Sequence, residues 1–385
     1  MGAMTMAVGV VLMIIIHEGG HFLAAKSFGM KATNAFFGFG PKLWSITRGE
    51  TEYGVKAIPF GGSVRIIGMN PFEEVPPEDE GRTYRSAPYW QKTVVVLAGI
   101  FSHFVVAILL LWLVGTIWGT IERDTDGVVI RTTTVLAVSE YVPGTTEPSP
   151  ANTSGVLDQD VIVSTNGSTV ETWDEFTDFT RANGGNDVVI GVERNGQILD
   201  LPTTLAIAER PVIVAGEIVE DANGDPILET VGFYGVTPEA MRDYPGPLMM
   251  IPTAFEQFGE AAVASIRGLW EMVLGFPQII GSLFGGDDEI LDTVRPVSPI
   301  GLVRAAGPVQ TSLQLLAFVN IFVGILNFIP LYPLDGGHFA VATYEKVTGR
   351  EPNVQRLLPV AAVVLMFLVS LGLVGVYLDI FKPIQ

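Results

Sequence analysis

Long apolar runs constrain the fold of this chain more than any other feature of its sequence. Residues 93–121 and 357–380 are long and apolar enough to cross a membrane as helices, which takes about 20 residues. Residues 2–16 form a third run, which continues through the polar turn HEGGH to about residue 25. A fourth stretch, 313–330, is apolar but is punctuated by two asparagines. The sequence therefore predicts a polytopic α-helical membrane protein with four transmembrane helices.

The composition limits the chemistry that is open to this protein. Of the 385 residues 48% are hydrophobic, which favours a few spanning helices together with a sizeable water-soluble part. Cysteine is absent, so disulfides and thiolate metal sites are excluded, and a metal would have to be bound by His, Asp or Glu. The net charge of −19 argues against nucleic acid as a partner. The expected surroundings are instead a lipid bilayer.

The distribution of lysine predicts the orientation in the membrane. Segment 122–310 contains no lysine, 9 arginines and 29 acidic residues, whereas five of the seven lysines lie between the first two apolar runs: Lys26, Lys31, Lys42, Lys56 and Lys92. Short lysine-rich loops stay in the cytoplasm, while a long acidic domain can be exported. We therefore expect a multi-pass protein of the inner (plasma) membrane, with both termini and segment 122–310 extracytoplasmic and HEGGH toward the cytoplasmic side. The first run lacks a basic leader and a small-residue cleavage site, so it predicts a spanning helix and not a cleaved signal peptide.

The exported segment has a β-rich pattern of its own. Residues 123–208 alternate short β-like runs with the turn pairs Asn166-Gly167 and Asn195-Gly196, and TWDEFTDFTRA predicts one amphipathic helix. This order resembles a PDZ domain of the circularly permuted bacterial type, although a generic small β-rich domain is the alternative. PDZ domains bind extended peptides at a sheet edge. Residues 246–285 predict an amphipathic helix pair along the membrane surface.

The polar residues that end the first apolar run need a chemical explanation, because such groups are costly inside a membrane. In a helix His17 and His21 lie on one face, one turn apart, where two imidazoles can bind Zn²⁺. Glu18 lies beside them and could take a proton from metal-bound water, whose pKa the metal lowers to about 7. The alternative is a chance match, in which both histidines bond to neighbouring helices. The pattern favours the metal site.

A third ligand is expected from the segment NFIPLYPLDGGHF. Asn327 and Pro330 should break the preceding helix, and broken helices at membrane depth are tolerated where they line an enclosed cavity. Asp335 then offers a carboxylate, and Gly336 and Gly337 let the backbone turn beside a metal. By itself PLDGG would more often be an ordinary loop turn, but together with HEGGH it predicts a His₂Asp zinc site with one position open for water. His338 is expected to be a flanking loop residue.

HEGGH followed at a distance by NFIPLYPLDGG resembles the site-2 protease family of intramembrane zinc metallopeptidases. The order of helix, β-rich loop, helix, PDZ domain and two helices resembles the branch of the bacterial regulator of sigma-E protease (RseP). The resemblance implies His17, His21 and Asp335 as zinc ligands and Glu18 as the catalytic base. It also implies cleavage within the spans of single-span membrane proteins, such as anti-sigma factors or remnant signal peptides.

Further motifs match the same family. GFGP (38–41) and IPFGGSVRIIGM (58–69) resemble a membrane-associated β-hairpin loop that presents the substrate as a strand, and SPIGLVRAAG (298–307) resembles the segment before the third helix. The expected substrate contacts are therefore Gly61, Gly62, Val64 and Ile66 on this loop, with Asn327 and Pro330 near the metal.

One position departs from the family pattern. The second helix usually carries AGPxxNF, whereas this chain reads AGIFSHF, with Ile100 and His103. His103 could bond to a neighbouring helix, touch the substrate or touch the Asn327 loop. A role as metal ligand is disfavoured because three ligands are already present.

The predicted fold class is thus four transmembrane helices with a membrane-associated β-loop and an extracytoplasmic β-rich PDZ domain. The predicted segments are helix one (1–29), the β-loop and cytoplasmic loop (30–92), helix two (93–121), the PDZ domain (122–210), its C-terminal region (211–310), helix three (311–340), and a loop with helix four (341–385). Two other functions stay open: a non-proteolytic PDZ scaffold with a vestigial metal site, and a divalent-metal transporter. The complete set of one base and three ligands argues against the first, and the scarcity of ionisable residues in helices two and four argues against the second.

Overall fold

The computed structural model describes residues 1–70, 73–125, 127–214, 217–219, 221, 226–283, 295–350, 353, 355 and 357–382. The chain forms two compact units, Met1–Trp118 with Pro245–Gln385, and Gly119–Tyr244. The α-helices among the described residues are α1 (Gly2–Ser27), α2 (Tyr89–Trp118), α3 (Pro150–Ser154), α4 (Trp173–Ala182), α5 (Gly246–Leu283), α6 (Pro299–Arg304), α7 (Val309–Phe328), α8 (Asp335–Thr348) and α9 (Leu358–Phe381). A 3₁₀ helix covers Pro77–Arg82.

The described strands are mostly short. They are β1 (Ala32–Arg48), β2 (Thr51–Ile66), β3 (Thr120–Ile121), β4 (Arg131–Val138), β5 (Val161–Thr165), β6 (Ser168–Thr169), β7 (Asp187–Arg194), β8 (Gln197–Thr204), β9 (Ala206–Pro211), β10 (Ile213–Val214), β11 (Glu217–Ile218), β12 (Leu228–Phe233), β13 (Val236–Ala240) and β14 (Arg242–Asp243). Only β1 and β2 belong to the first unit.

Four helices within the described part of the chain are long and apolar enough to cross a membrane: α1, α2, α7 and α9. They coincide with the four predicted runs to within a few residues, so the predicted number of helices able to cross a membrane is confirmed. The helix α7 ends at Phe328, and the next residue, Ile329, is extended with φ −60° and ψ 129°. Asn327 is therefore still helical, contrary to the predicted break there. The break follows from Pro330, which disfavours helical geometry in the residue before it.

The long strands β1 and β2 bend, so that together they form a sheet of four short strand segments, here called ribbons. This sheet lies against α1. Residues 34–37 of β1 pair on one side with 52–55 and on the other side with 62–65, because both long strands bend at several register shifts. Ribbon 62–66 is consequently an edge, and no other described strand pairs with its outer side. The sheet is held to α1 and α2 by a buried cluster that includes Ala25, Ala32, Ile66, Val95 and Ile100. The predicted β-hairpin loop is therefore present in the structure, with one edge that no other described strand covers.

The segment predicted as an amphipathic helix pair, 246–285, is a single helix, α5, up to Leu283, and residues 284–285 lie outside the described residues. Pro252 and Pro277 lie inside this helix. A helix-interior proline costs about 3 kcal/mol, so packing must offset the cost. Met250 and Ala254 of α5 are fully buried against α2 and α7, and this contact stabilises the helix on both sides of Pro252.

The last apolar run contains a buried charge. Asp379 of α9 is 3% exposed. Its Oδ2 accepts the backbone N–H of Ser298 at 2.8 Å, and Arg295 Nη2 lies 3.3 Å from its Oδ1. The side chain of Arg304 donates to the backbone carbonyl of Asp379. The carboxylate thus ties α9 to the segment that leads into α7, which agrees with the rule that charges within membrane helices are paired.

The second unit, Gly119–Tyr244, is built on a six-stranded sheet. The strand order is β13-β4-β5-β7-β8, with β6 paired to β5, and β9 and β12 form a separate ribbon. The helix α4 covers the core of this unit with Trp173 and Phe176, while Phe179 packs at the margin. The predicted turn residues Asn166 and Asn195 both have positive φ, at 49° and 52°. The predicted β-rich character is therefore confirmed, and the unit extends past the predicted segment 122–210 because β12 and β13 pair back onto β9 and β4.

Candidate metal centre

Three predicted ligand atoms converge between α1 and the start of α8. Asp335 Oδ2 lies 3.2 Å from His21 Nε2 and 3.4 Å from His17 Nε2, and the two Nε2 atoms are 3.3 Å apart. In a tetrahedral zinc site with bonds of about 2.0–2.1 Å, ligand atoms lie about 3.3–3.4 Å from one another. The donor set therefore fits one zinc ion. Among the described residues, these three form the one group of three or more side chains whose ligand atoms lie close enough together to hold a metal ion.

The helix α2 orients one of these ligands. His21 Nδ1 lies 2.8 Å from the carbonyl oxygen of Val95. The carbonyl can only accept, so Nδ1 carries the proton and Nε2 presents its lone pair to the other ligand atoms. The close approach of the two helices depends on glycine. A Cβ at Gly99 would collide with the His21 ring, and a Cβ at Gly20 would lie 2.6 Å from the Ala98 carbonyl oxygen.

The loop between α7 and α8 places Asp335 as the first residue of α8. A Cβ at Gly336 would collide with the carbonyl oxygens of Phe328 and Ile329, and a Cβ at Gly337 would lie 2.6 Å from the Tyr332 nitrogen. Both glycines are therefore needed for the tight return of the chain, as the sequence indicates. Further along α8, Glu345 forms an ion pair with the buried Lys92 of α2 at 2.9 Å.

Glu18 lies between the three ligand atoms and the sheet edge. Its Oε2 accepts the backbone N–H of Val64 at 3.0 Å. A Cβ at Gly62 would lie 2.7 Å from Glu18 Cγ, so glycine allows this ribbon to approach the helix. Gly61 has a φ of 81°, which favours glycine. Ile66 is 2% exposed and packs in the core, so its predicted contact with a substrate has no support in its exposure.

The other predicted site residues differ in position. His103 stacks on His17 with ring centroids 4.7 Å apart and bonds to Asn320, not to the Asn327 loop. Asn327 is half-buried in the last turn of α7 and Pro330 is exposed. Among the described residues neither makes a hydrogen bond to the three ligands. His338 bonds to the Tyr332 hydroxyl at 3.1 Å.

Some residues that support the site carry little signal in the sequence. The Val95 carbonyl could be inferred only from the packing of two helices. Asn320 stands out in the sequence as a polar residue in an apolar helix, but the sequence does not indicate that His103 is its hydrogen-bond partner. Tyr332 lies in a loop that looks ordinary. These contacts depend on how elements far apart in the chain meet.

A histidine pair with a glutamate on a membrane-spanning helix, completed by an aspartate from another part of the chain, defines a membrane-embedded metallopeptidase. Comparison with known proteins agrees: the model of peptidase family M50 matches residues 5–371, and the chain belongs to this family. The predicted family is confirmed, and with it the predicted class of enzyme, a metallopeptidase of the site-2 type.

Named relatives cover the whole chain. The zinc metalloprotease Rip1 of Mycobacterium tuberculosis is 30% identical over 410 residues, with 100% of this chain and 98% of the relative covered. Rip1 of Mycolicibacterium smegmatis is 28% identical over 409 residues with the same coverage. A solved PDZ domain of an SdrC-like protein from Listeria monocytogenes matches 31% of this chain and 93% of that chain, at 15% identity and a TM-score of 0.17, and this value is too low to assign a fold.

Proposed function

We propose that His17, His21 and Asp335 hold one zinc ion and that this centre cleaves peptide bonds within the membrane spans of single-span proteins, in regulated intramembrane proteolysis. The observation that carries the proposal is the triangle of ligand atoms, with edges of 3.2–3.4 Å, two of whose members lie on a helix able to cross a membrane. Family membership supports the reaction type, and the names of the relatives support zinc.

Glu18 is the proposed general base. When bound, zinc supplies a Lewis acid that polarises the scissile carbonyl and makes water a stronger acid. Glu18 follows His17 on the same helix turn but contributes no atom to the ligand triangle. Its carboxylate is therefore free to accept the proton of the attacking water and return it to the leaving nitrogen. The N–H of Val64 holds one oxygen of this carboxylate in place, which limits the orientations that it can adopt.

The edge ribbon 62–66 is the proposed docking strand for the substrate. A helical span has its backbone groups paired, so it must be unwound locally before attack. An extended peptide can then pair with a free sheet edge. The Val64 N–H points outward from the sheet to Glu18, so a peptide along this edge would pass beside the base. A cavity of about 780 Å³, lined partly by Val64, Met69, Tyr332 and Leu357, offers room next to the ribbon.

The remaining proposals concern orientation and the second unit. The lysine distribution supports a location in the inner membrane with the metal centre toward the cytoplasm. The unit Gly119–Tyr244 is proposed to be an extracytoplasmic PDZ domain that binds peptide or excludes bulky substrates. Its strands and its covering helix α4 support this proposal.

Anti-sigma factors and remnant signal peptides are the proposed substrate classes. Asn327 and Pro330 are proposed to support the bound substrate strand.

The test separates metal binding from catalysis. Protein purified in detergent should contain about one zinc per chain, and His21→Ala should lose most of it. Glu18→Gln should keep the zinc but lose cleavage of a single-span substrate, because the base is removed and no ligand is. His338→Gln is the matched control, since this histidine lies near the site but outside the ligand triangle, and it should keep its zinc. Full cleavage by Glu18→Gln, or full zinc in His21→Ala, would refute the proposal.

A further inference from the structure

His103 departs from the family pattern, and it lies directly against the metal centre. Its ring is stacked on that of His17, with centroids 4.7 Å apart and an angle of 28° between the planes. The residue is 3% exposed. It comes from α2, whereas His17 belongs to α1, so the stacked pair joins the two helices at the depth of the ligands.

Asn320 of α7 fixes the orientation of His103. The Asn320 Nδ2 donates to the carbonyl oxygen of Leu316 at 2.8 Å, so its Oδ1 is the atom that faces His103 Nδ1 at 3.1 Å. An amide oxygen only accepts, and Nδ1 of His103 therefore carries the proton. Asn320 is fully buried, so water does not compete for this bond. The histidine ring is thus tethered to a third helix.

His17 needs such a neighbour more than His21 does. Metal-binding histidines are usually oriented by a hydrogen bond from the second ring nitrogen. His21 has that bond, to the Val95 carbonyl. His17 Nδ1 is buried and has no hydrogen-bond partner among the described residues. The Gly99 carbonyl is the nearest acceptor for this nitrogen, but their contact is too weak to meet hydrogen-bond geometry, and the same carbonyl accepts the Ser102 hydroxyl at 2.6 Å.

The His17 ring is instead held by two other rings. His21 contacts it edge to face, with centroids 4.7 Å apart and an angle of 89°, and His103 covers one of its faces. We propose that His103 is a positioning residue, which holds the His17 imidazole in its zinc-binding orientation while Asn320 holds His103. This inference rests on the proposed function, because it takes His17 to be a zinc ligand.

The flat ring, and not its nitrogen atoms, is the feature that matters in this proposal. Nε2 of His103 has no hydrogen-bond partner among the described residues. Replacing the ring with phenylalanine therefore removes only the bond to Asn320 and keeps the stacked face. Leucine fills the site with apolar atoms but offers no flat face. The pair of substitutions separates stacking from simple occupation of space.

Zinc affinity, measured by competition with a chelator on the full chain in detergent, is the readout. His103→Leu should lower the affinity about tenfold or more, the range typical for residues that orient a ligand. His103→Phe should stay within about threefold of the original protein. Asn320→Leu removes the same bond as His103→Phe and keeps the flat ring, so it should likewise stay within about threefold of the original protein. The visible spectrum of the cobalt-substituted protein should change in His103→Leu, since it reports ligand geometry.

The matched control is Phe101→Leu. Phe101 lies two positions from His103 on the same helix, and it is 53% exposed. It should leave zinc affinity unchanged. A folded His103→Leu variant with unchanged affinity overturns the inference. If His103→Leu does not fold, His103→Met decides, because it also lacks a flat face: a tenfold loss beside retained affinity in His103→Phe supports the inference, and unchanged affinity overturns it. His17→Ala separates this outcome from failure of the proposed function, because only unchanged zinc in His17→Ala contradicts the ligand assignment itself.

Discussion

Gly62 provides a direct test of how Glu18 is positioned. A Cβ at this position would lie 2.7 Å from Glu18 Cγ and 3.3 Å from Ile14 Cγ2. Carbon atoms in contact prefer about 3.5–4.0 Å, so Glu18 or the ribbon must move by about 1 Å in Gly62→Ala. Gly62 does not have a positive φ, so alanine introduces no backbone strain there. The substitution therefore acts on the base through contact alone.

A displacement of about 1 Å at a catalytic group can cost about 100-fold in rate. We expect Gly62→Ala to lower kcat/KM about 10- to 100-fold while zinc content stays at the level of the original protein, because no ligand is touched. The assay is cleavage of a single-span substrate in detergent or vesicles, with zinc measured on the same sample. The control is Gly19→Ala, next to Glu18 on α1, where an added Cβ meets nothing within 4 Å. Normal activity in folded, zinc-loaded Gly62→Ala, or an equal loss in Gly19→Ala, would refute the reasoning.

The remaining predictions concern the second unit and the orientation. Burial alone would raise the pKa of the Asp160 carboxyl, but bonds from Arg194 and the Leu157 N–H hold it below its ordinary value. Its stabilising effect is therefore present above about pH 4 and is lost as the pH falls, so Asp160→Asn should destabilise Gly119–Tyr244 by about 1–3 kcal/mol at neutral pH and by less at pH 3. Hydrogen exchange on the full chain measures this, and an equal effect at both pH values would contradict it. A reporter at residue 75 should be cytoplasmic and one in the turn 195–196 extracytoplasmic; the reverse pattern would reject the proposed orientation.

The elements predicted correctly are those that local patterns determine. The four spanning helices follow from length and hydropathy alone. The helix α4 could be predicted from the amphipathic spacing of its residues, and Thr172 and Glu175 form a capping box at its N-terminus. The two histidines share a face because they are one helix turn apart. Asp335 could be associated with them because it follows a helix end in a segment that resembles the family motif.

Contacts between elements that are far apart in the chain could not be predicted from the sequence. The edge character of ribbon 62–66 arises because 34–37 pairs with two segments at once, which several register shifts allow. The bond between His103 and Asn320 depends on how α2 and α7 are rotated about their axes. The helix α5 contradicts local expectation, since packing of Met250 and Ala254 outweighs the tendency of proline to break a helix.

Close approach of backbone to side chain is what makes a polar centre stable among apolar helices. Where water is scarce, an unpaired polar group costs several kcal/mol, so a second partner within the protein stabilises each polar side chain that has one. His21 finds the Val95 carbonyl because Gly20 and Gly99 let α1 and α2 come together. Glu18 finds the Val64 N–H because Gly62 lets the edge ribbon reach α1. Substitution of a ligand should therefore remove the metal. Substitution of Gly62 should leave the metal bound but displace Glu18, the proposed base, and so lower the rate of cleavage.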